Sequence, residues 1–446
     1  MSDTTTKSPN LSFKKVLTTW LPLVGSWMLM SIELPTINAI VARLQNPEVN
    51  LAAYGGVVFP IALTIEAPVI MLLAASTALS RDWKSYRQLR KFTLFLGGGL
   101  SLLHLLVAVT PIYDFVVNVL LQVPPEVVEP GRIGLLLLSP WTLAIAYRRF
   151  QQGTMIRFGH SNMVGETTVV RLITVAAVLT IGMIVKTIPG TLLAGLAQGL
   201  GVTFEATYAG LRMRKILPEI KTAPPSTKPL SAKRFLSFYA PLALTSSLWL
   251  LWQPLISGSV SRMPDPLESL AVWSVVTGLL FMFRSPGVAY NEAVVALLEE
   301  PQSFPILKKF ARYASLVTTG IAVLVVATPL SKLWFTTIAN LAPDQATTAR
   351  VALALGLPLA ILSIYVSFFQ GIIVYQGKTG VIAEATVVFL VSLGVVLVTG
   401  VMTEAYKGVY VAAAAFTFAH LTQNIWLMLR SRKKRQVLAA EAQSSD

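Results

Sequence analysis

Long apolar runs, separated by short basic or polar segments, are the dominant pattern of this sequence. Several runs exceed 25 residues and contain proline, which indicates tilted or kinked helices. A helix needs about 20 apolar residues to cross the hydrocarbon core of a bilayer. The pattern therefore predicts an all-α polytopic membrane protein with 12 transmembrane helices. The predicted spans are 16–44, 51–79, 91–121, 132–156, 163–186, 190–213, 235–261, 268–298, 311–336, 349–374, 380–402 and 408–429.

Composition supports this prediction and narrows the function. Apolar residues make up 54% of the chain and charged residues 13%, against about 25% in soluble domains. Little sequence is left for an extramembrane catalytic domain, so the chain is not expected to be an enzyme. It has no cysteine, its three histidines are far apart, and no phosphate-binding GxxxxGK[ST] loop occurs. We therefore expect no metal site, no cofactor and no ATP hydrolysis.

The basic residues indicate the orientation of the spans. With a cytoplasmic N-terminus, 27 Lys and Arg fall in cytoplasmic segments, 7 in outer segments and 2 within spans. This bias follows the positive-inside rule and predicts a multi-pass protein of the plasma (inner) membrane with both termini cytoplasmic. The net charge of +15 is then explained by contact with anionic lipid head groups, and no nucleic acid partner is expected.

The sequence contains an internal repeat. A shift of 219 aligns residues 21–54 with 240–273, and a shift of 218 gives 16 identities over the 48 positions of 132–179. Six spans in each half make the repeats parallel, as in carriers whose two bundles rock around a central site. The predicted parts are an N-terminal six-helix bundle (1–215), a cytoplasmic linker (216–232), a C-terminal six-helix bundle (233–430) and a basic cytoplasmic tail (431–446).

Short motifs add a family resemblance. LAAYG at 51–55, SRD at 80–82, FLSFYAPLAL at 235–244 and SPGVAYNEAV at 285–294 resemble the progressive ankylosis (ANK) branch of the MOP (multidrug/oligosaccharide-lipid/polysaccharide) exporter superfamily. That superfamily includes the MATE transporters. The resemblance implies a MATE-like V-shaped bundle with a cleft lined largely by helices 1, 2, 7 and 8. The major facilitator fold stays open as an alternative, although its usual motif between helices 2 and 3 is absent.

Ionisable residues inside the spans are candidates for substrate binding or ion coupling, because each is costly in a bilayer unless paired or hydrated. Those found in one half only suit an asymmetric substrate. Glu33 lies two residues before Pro35 and is the first candidate for coupling, with a buried structural glutamate as the alternative; an acidic residue there also resembles the proton-linked site of some MATE proteins. The other candidates are Glu66, Arg171, Glu205, Arg284 and Glu292, with Asn38 and Tyr290 as neutral contacts.

Glu66 and Arg284 occupy adjacent positions of the repeat, so we expect similar depths in helices 2 and 8. They could form a pair that opens and closes with a cleft, or a permanent structural pair. Alternatively, Arg284 could bind an anionic substrate, since guanidinium geometry suits carboxylates and phosphates. His104 and His420 are read as packing residues rather than proton relays.

Residues shared by both halves are candidates for gates or scaffold. These are Glu166 and Glu384, which could instead lie near a positive helix N-terminus or pair with loop arginines, and Gln152 and Gln370, each followed by a glycine suited to helix packing.

These observations favour a secondary active exporter of a small organic solute, coupled to H+ or Na+. An ANK-like protein would carry organic anions or phosphates. A MATE-like antiporter of organic cations, held by Glu33 and Glu66 with tryptophans, and a flippase for lipid-linked substrates are the alternatives.

Overall fold

The structure is a computed structural model that describes residues 11–225, 230–300, 303–378 and 380–443. Helices make up 86% of it, and no described residue lies in a strand. The predicted all-α class is therefore confirmed. Among the described residues, nine helical segments are long and apolar enough to cross a membrane, by length and composition. The three other predicted spans are also helical, but they carry the buried polar residues Arg148, Glu205 and His420.

The twelve predicted spans correspond to twelve helices, some of them broken. The nine apolar ones are α1 (Phe13–Val41), α2 (Pro47–Leu79), α3 (Trp83–Val109), α5 (Asn162–Val185), α7 (Ala232–Val260), α8 (Pro266–Leu297), α9 (Ser303–Ala327), α10 (Pro343–Tyr375) and α11 (Gly380–Thr403). The remaining ones are α4, which joins Pro125–Leu137 and Trp141–Arg157, α6 (Gly190–Met213) and α12 (Gly408–Arg430). A helical segment at Ile112–Leu121 follows α3, and Pro329–Leu333 follows α9.

The predicted linker and tail are partly helical. Residues Leu217–Thr222 of the 216–232 linker form a short helix, and its positions 226–229 lie outside the described residues. The basic tail forms helix α13 (Arg432–Gln443), and its last three residues lie outside the described residues. Within the tail, Arg435 donates to the Met428 carbonyl oxygen at 2.8 Å, and its guanidinium lies over the Phe369 ring at 5.1 Å.

The helices form two compact units. Unit 1 contains the described residues up to Pro35, Val275–Thr399, and the chain from Tyr410 onwards. Unit 2 contains Thr36–Ser274 and Gly400–Val409. The division passes through α1 and α8 and differs from the predicted sequence halves. Most of α1 lies with α8 to α12, and α7 lies with α2 to α6, so the first helix of each half belongs to the unit built mainly from the other half.

Local structures recur at the spacing of the repeat. Gly159 and Gly377, 218 positions apart, have φ angles of 80° and 70° just after the ends of α4 and α10. After each glycine, a backbone N–H reaches the carbonyl oxygen five residues earlier, from His160 to Met155 at 2.8 Å and from Lys378 to Ile373 at 3.3 Å. This is the Schellman ending, in which glycine adopts the left-handed conformation at least cost. The two helices therefore end in the same way.

Close helix crossings recur as well. A Cβ on Gly153 would overlap the Leu73 carbonyl oxygen of α2, and a Cβ on Gly371 would overlap the Val294 side chain of α8. These contacts support the helix-packing interpretation of both glycines. Gly55 of α2 similarly faces Ser274 of α8, with no room for a side chain. Gly55 and Ser274 are themselves equivalent under the 219 shift, as expected where two repeats meet at a shared axis.

Helix α2 is interrupted just after Glu66. Its α-helical part Phe59–Glu66 is followed by a 3-10 turn at Ala67–Val69, because Pro68 cannot continue the backbone hydrogen bonds. Helix α7 satisfies the carbonyl oxygens at this break: Ser246 Oγ donates to Ala67 at 2.8 Å, and the Tyr239 hydroxyl donates to Pro68. The break therefore costs little within an apolar environment, and it fixes the position of the Glu66 side chain.

Candidate functional sites

A buried polar network lies in unit 2 among α4, α5 and α6. Glu205, fully buried, accepts from Arg148 Nη1 at 2.7 Å and from Gln152 Nε2 at 3.2 Å. Arg171 Nε lies 3.8 Å from the same carboxylate, and Thr167 is 3.5 Å away. Such a network needs all its members, because a buried charge that loses its partner keeps its full desolvation cost. Glu205 is thus the centre of a charged cluster.

Glu66 lies beside this network. The charges of Arg149, Arg148 and Arg171 all act on its carboxylate, with that of Arg149 the strongest. Its Oε2 atom is buried without a hydrogen-bond partner among the described residues, and the same holds for Arg149 Nε. Glu66 and Arg149 therefore interact through space rather than through a hydrogen bond. The expected pairing of Glu66 with Arg284 stays a prediction.

Two of the basic residues counted as cytoplasmic lie within a helix. Arg148 and Arg149 were counted among the cytoplasmic residues, but they lie within Trp141–Arg157, and Arg148 is only 4% exposed. Removing them lowers the cytoplasmic count from 27 to 25 against 7 outside, which leaves the predicted orientation unchanged. A usable signal for Arg148 is its spacing from Gln152, because residues four positions apart share one helix face.

A second polar site lies in unit 1, where α8 meets α12. Arg284 Nη2 is 2.8 Å from His420 Nε2, and His420 Nδ1 is 2.9 Å from the Phe416 carbonyl oxygen. A carbonyl oxygen can only accept, so Nδ1 carries the imidazole proton. A guanidinium can only donate, so Nε2 must accept from it. His420 is therefore neutral in this geometry and orients the guanidinium.

The surroundings of Arg284 are aromatic. The Phe416 ring lies 5.1 Å from its Cζ atom, and the rings of Phe389 and Phe416 pack edge-on against His420 at 4.8 and 4.5 Å. Within the part of the chain that the structure describes, Arg284 makes no ion pair with a carboxylate, and its Nε atom is buried without a hydrogen-bond partner. Its positive charge is therefore compensated only by an imidazole and a ring face.

The remaining acidic candidates of unit 1 lie on α1 and α8. Glu33 is 7% exposed and precedes Pro35, which cannot donate to the Ser31 carbonyl oxygen. Pro35 packs against α8, where Gly278 leaves the necessary space. Glu292 is exposed and accepts from Trp27 Nε1 at 3.1 Å. Glu33 is thus the more buried of the two carboxylates.

The neutral candidates have protein partners. Asn38 Nδ2 donates to the Ser274 carbonyl oxygen at 2.8 Å, and Ser274 Oγ donates back to Asn38 at 3.2 Å. The Tyr290 hydroxyl donates to Leu307 at 2.6 Å within a fully buried aromatic cluster. These contacts join helices, and they place Asn38 and Tyr290 in the core. A substrate role for either residue stays a prediction.

The symmetric carboxylates form matching ion pairs. Glu166 pairs with Arg212 at 2.7 Å, and Glu384 pairs with Arg430 at 2.9 Å, so both members recur 218 positions apart. The structural alternative, pairing with arginines, is thus observed in both repeats, but the arginines lie in the last turns of α6 and α12 rather than in loops. Gln152 belongs to the Glu205 network, whereas Gln370 is half-buried on α10. A gating role for these residues remains untested.

His104 is held by packing and hydrogen bonds. Its ring nitrogens lie 3.0 Å from the Leu135 carbonyl oxygen and 3.3 Å from Thr142 Oγ1. This agrees with the interpretation as a packing residue. Among the described residues, no group of three or more His, Asp or Glu side chains is placed to hold a metal ion.

Comparison with known proteins identifies the fold. No family profile and no curated protein sequence matches the chain. Among solved structures, a multidrug resistance MATE family transporter of the MOP superfamily, in an inward-facing conformation, matches with a TM-score of 0.70 and 14% identity, over 94% of this chain and 99% of that one. A MOP superfamily transporter from Pyrococcus furiosus, described as having a binding pocket of reverse polarity, matches with a TM-score of 0.64 and 15% identity, over 96% and 97%.

A lipid flippase has the same fold. The lipid II flippase MurJ, in an inward closed conformation, matches with a TM-score of 0.63 and 15% identity, over 94% of this chain and 90% of that one. At these identities the likeness establishes the fold alone. The chain therefore has the MATE-like fold of MOP superfamily transporters, which is a multi-pass membrane fold, as the sequence predicted.

Proposed function

We propose that this protein is a secondary active transporter that moves a small organic solute by alternating access. The observation that carries the proposal is the MATE-like fold, which covers nearly the whole chain. The two repeats, 1–215 and 233–430, are the proposed homologous halves, and the two compact units are the candidates for bodies that move during transport. Coupling to H+ or Na+ is assigned to Glu33. Membership of the ANK branch rests on the short motifs and predicts export of organic anions or phosphates.

The test is substrate-dependent uptake into proteoliposomes under imposed pH and Na+ gradients. Organic anions, organic cations and a fluorescent lipid probe are tested in parallel. We expect gradient-driven movement of at least one class, well above that in liposomes without protein. If no class moves under either gradient, the proposed function is wrong.

The similarity to the lipid II flippase favours one second candidate, a flippase for a lipid-linked substrate. The two functions differ in the probe that crosses the membrane. A flippase moves the fluorescent lipid between leaflets and leaves water-soluble ions in place. The proposed transporter moves a water-soluble ion across the membrane and leaves the lipid in its leaflet.

The orientation is proposed to place both termini in the cytoplasm of a cell with a plasma (inner) membrane. The bias of 25 basic residues against 7 carries this proposal. Reporter fusions after Lys228, in the linker, and after Arg435, in α13, are both expected to report a cytoplasmic location. Fusions after Lys186 and Lys407, in two loops assigned to the outer side, are matched controls and are expected to report the opposite location. An outer location at Lys228 or Arg435 contradicts the span count.

A further inference from the structure

We propose that Arg284, His420 and Phe416 form a binding site for an organic oxyanion, whose carboxylate or phosphate oxygens accept hydrogen bonds from the Arg284 guanidinium. The proposal rests on the proposed transport function for its physiological meaning and names the substrate class. All three residues belong to unit 1.

The positive charge of Arg284 is incompletely compensated by the described residues. A guanidinium is always protonated, and inside a membrane protein it costs several kcal/mol unless it meets a carboxylate, water or a ligand. Arg284 makes no ion pair with any described carboxylate, and its nearest polar partner is the neutral imidazole of His420. The other arginine site, around Glu205, contains its own carboxylate. Arg284 therefore has the less complete compensation and a greater need for an anion.

The N–H donors of the Arg284 guanidinium are only partly used by the protein. His420 occupies Nη2 at 2.8 Å, whereas Nε is buried and has no partner. Because a guanidinium has five N–H donors in a rigid plane, most of its donors are available to a carboxylate or phosphate. Arg284 is half-buried as a residue, with its Nε atom buried and the rest of the side chain partly exposed. His420 acts as a positioning residue that holds the plane in one orientation.

Two aromatic side chains pack around this site. Phe416 lies against the guanidinium, and Phe389 packs against His420, so the cation is bordered by aromatic rings. Both rings are fully buried, so they hold Arg284 and His420 in place and leave the guanidinium as the part that meets a ligand.

The three residues of this site differ from their counterparts in the other half of the chain. Arg284, His420 and Phe416 correspond to Ile65, Val202 and Gln198 in the other half. The site is therefore built in one repeat only. The ion pairs of Glu166 and Glu384 recur in both halves, whereas Arg284, like the Glu205 network, has no counterpart. Unlike that network, Arg284 makes no ion pair with a carboxylate of the described residues, and a substrate needs no symmetry.

The test is calorimetric titration of the full chain in detergent with benzoate and phenyl phosphate. Benzyl alcohol is the uncharged analogue and benzyltrimethylammonium the cationic one. We expect binding of at least one oxyanion and of neither analogue. Charge-assisted hydrogen bonds are strong enough for Arg284→Gln to weaken binding about 10- to 100-fold, with Arg284→Lys intermediate. Arg312→Gln, which changes an exposed arginine of the same unit, is the matched control and is expected to bind normally.

Thermal unfolding separates ligand binding from a structural role. Without ligand, Arg284→Gln is expected to unfold at the wild-type temperature or above, because the lost charge had no carboxylate partner. The oxyanion is expected to raise the unfolding temperature of the wild type and of Arg312→Gln, and not that of Arg284→Gln. A lower unfolding temperature of ligand-free Arg284→Gln, with oxyanion affinity unchanged, would overturn the proposal.

A lipid phosphate has the same chemistry as a free phosphate, so a competition arm distinguishes the sources. Displacement of phenyl phosphate by phosphatidylglycerol assigns the site to a lipid headgroup, and absence of displacement assigns it to a soluble anion. If none of the three oxyanions binds, the inference is wrong. Transport of cations without oxyanion binding would refute this inference and leave the transport function standing. Arg284-dependent binding without any transport would refute the transport function and leave this inference standing.

Discussion

Glu205→Ala is expected to destabilise the protein by about 3–5 kcal/mol, the usual cost of removing one partner from a buried ion pair. Arg148 is 4% exposed and donates to Glu205 at 2.7 Å. After the substitution its charge would remain buried without that carboxylate, and Gln152 would lose its hydrogen bond to Glu205. Unfolding of the purified protein by heat or by a denaturing detergent, followed by tryptophan fluorescence, measures the loss.

Two further variants make this prediction specific. Glu384→Ala removes a carboxylate from a more exposed ion pair with Arg430, and such pairs contribute about 0–1 kcal/mol, so it is the matched control. The double variant Arg148→Gln with Glu205→Gln removes both charges together. It should be more stable than Glu205→Ala, because the Arg148 charge is removed together with its carboxylate, whereas Arg171 loses the Glu205 carboxylate in both variants. Equal stability losses for Glu205→Ala and Glu384→Ala would show that the buried network stabilises the protein no more than the exposed ion pair does.

Much of the fold was predictable because the bilayer restricts the pattern. Each of the twelve apolar runs corresponds to a helix or a broken helix, since a crossing helix must be apolar along about 20 residues. The helix ends were less predictable. Helix α3 begins at Trp83 rather than near residue 91, because its first two turns are rich in Lys and Arg and resemble a loop in composition. Its Asp82 capping box, closed by Ser85, is the local signal that marks the true start.

The compact units could not be predicted from the repeat. A repeat shows which positions are equivalent, and it does not show which helices pack together. The Pro35 position is recognisable as a kink, but no sequence pattern indicates that the boundary between the units passes between Pro35 and Thr36. The contact of Arg284 could not be predicted for the same reason. Its depth could be estimated from the alignment with α2, whereas its contact with His420 joins residues 136 positions apart.

The candidate sites were found in part. Glu205 and Arg171 were recognised because a charge inside an apolar run is conspicuous. Their neighbour Arg148 was counted among the cytoplasmic basic residues, although it lies inside the predicted span 132–156. In the folded protein the polar groups of this helix face α5 and α6, where Glu205 and Thr167 satisfy them. A polar helix face can therefore be buried when several helices bring complementary groups together, which composition alone does not reveal.

Glu33→Gln is expected to abolish gradient-driven transport while leaving folding and substrate binding largely intact. Glu33 is 7% exposed and lies beside Pro35, which interrupts the backbone hydrogen bonds of α1 because it cannot donate to the Ser31 carbonyl oxygen. Glutamine has nearly the same shape, but it cannot take up or release a proton, and it is a weaker ligand for Na+. The carrier would then lose its link to the gradient.

The measurement compares two assays on the same proteoliposomes. Uptake driven by a pH or Na+ gradient should fall at least tenfold in Glu33→Gln, close to the level in empty liposomes. Exchange of labelled for unlabelled substrate without a gradient should continue, because it needs binding and alternation but no ion. Glu292→Gln is the matched control, since Glu292 is an exposed carboxylate of the same unit that accepts from Trp27 at 3.1 Å. Full gradient-driven uptake by Glu33→Gln would exclude Glu33 from coupling and make Glu66, buried beside Arg149, the next carboxylate to test.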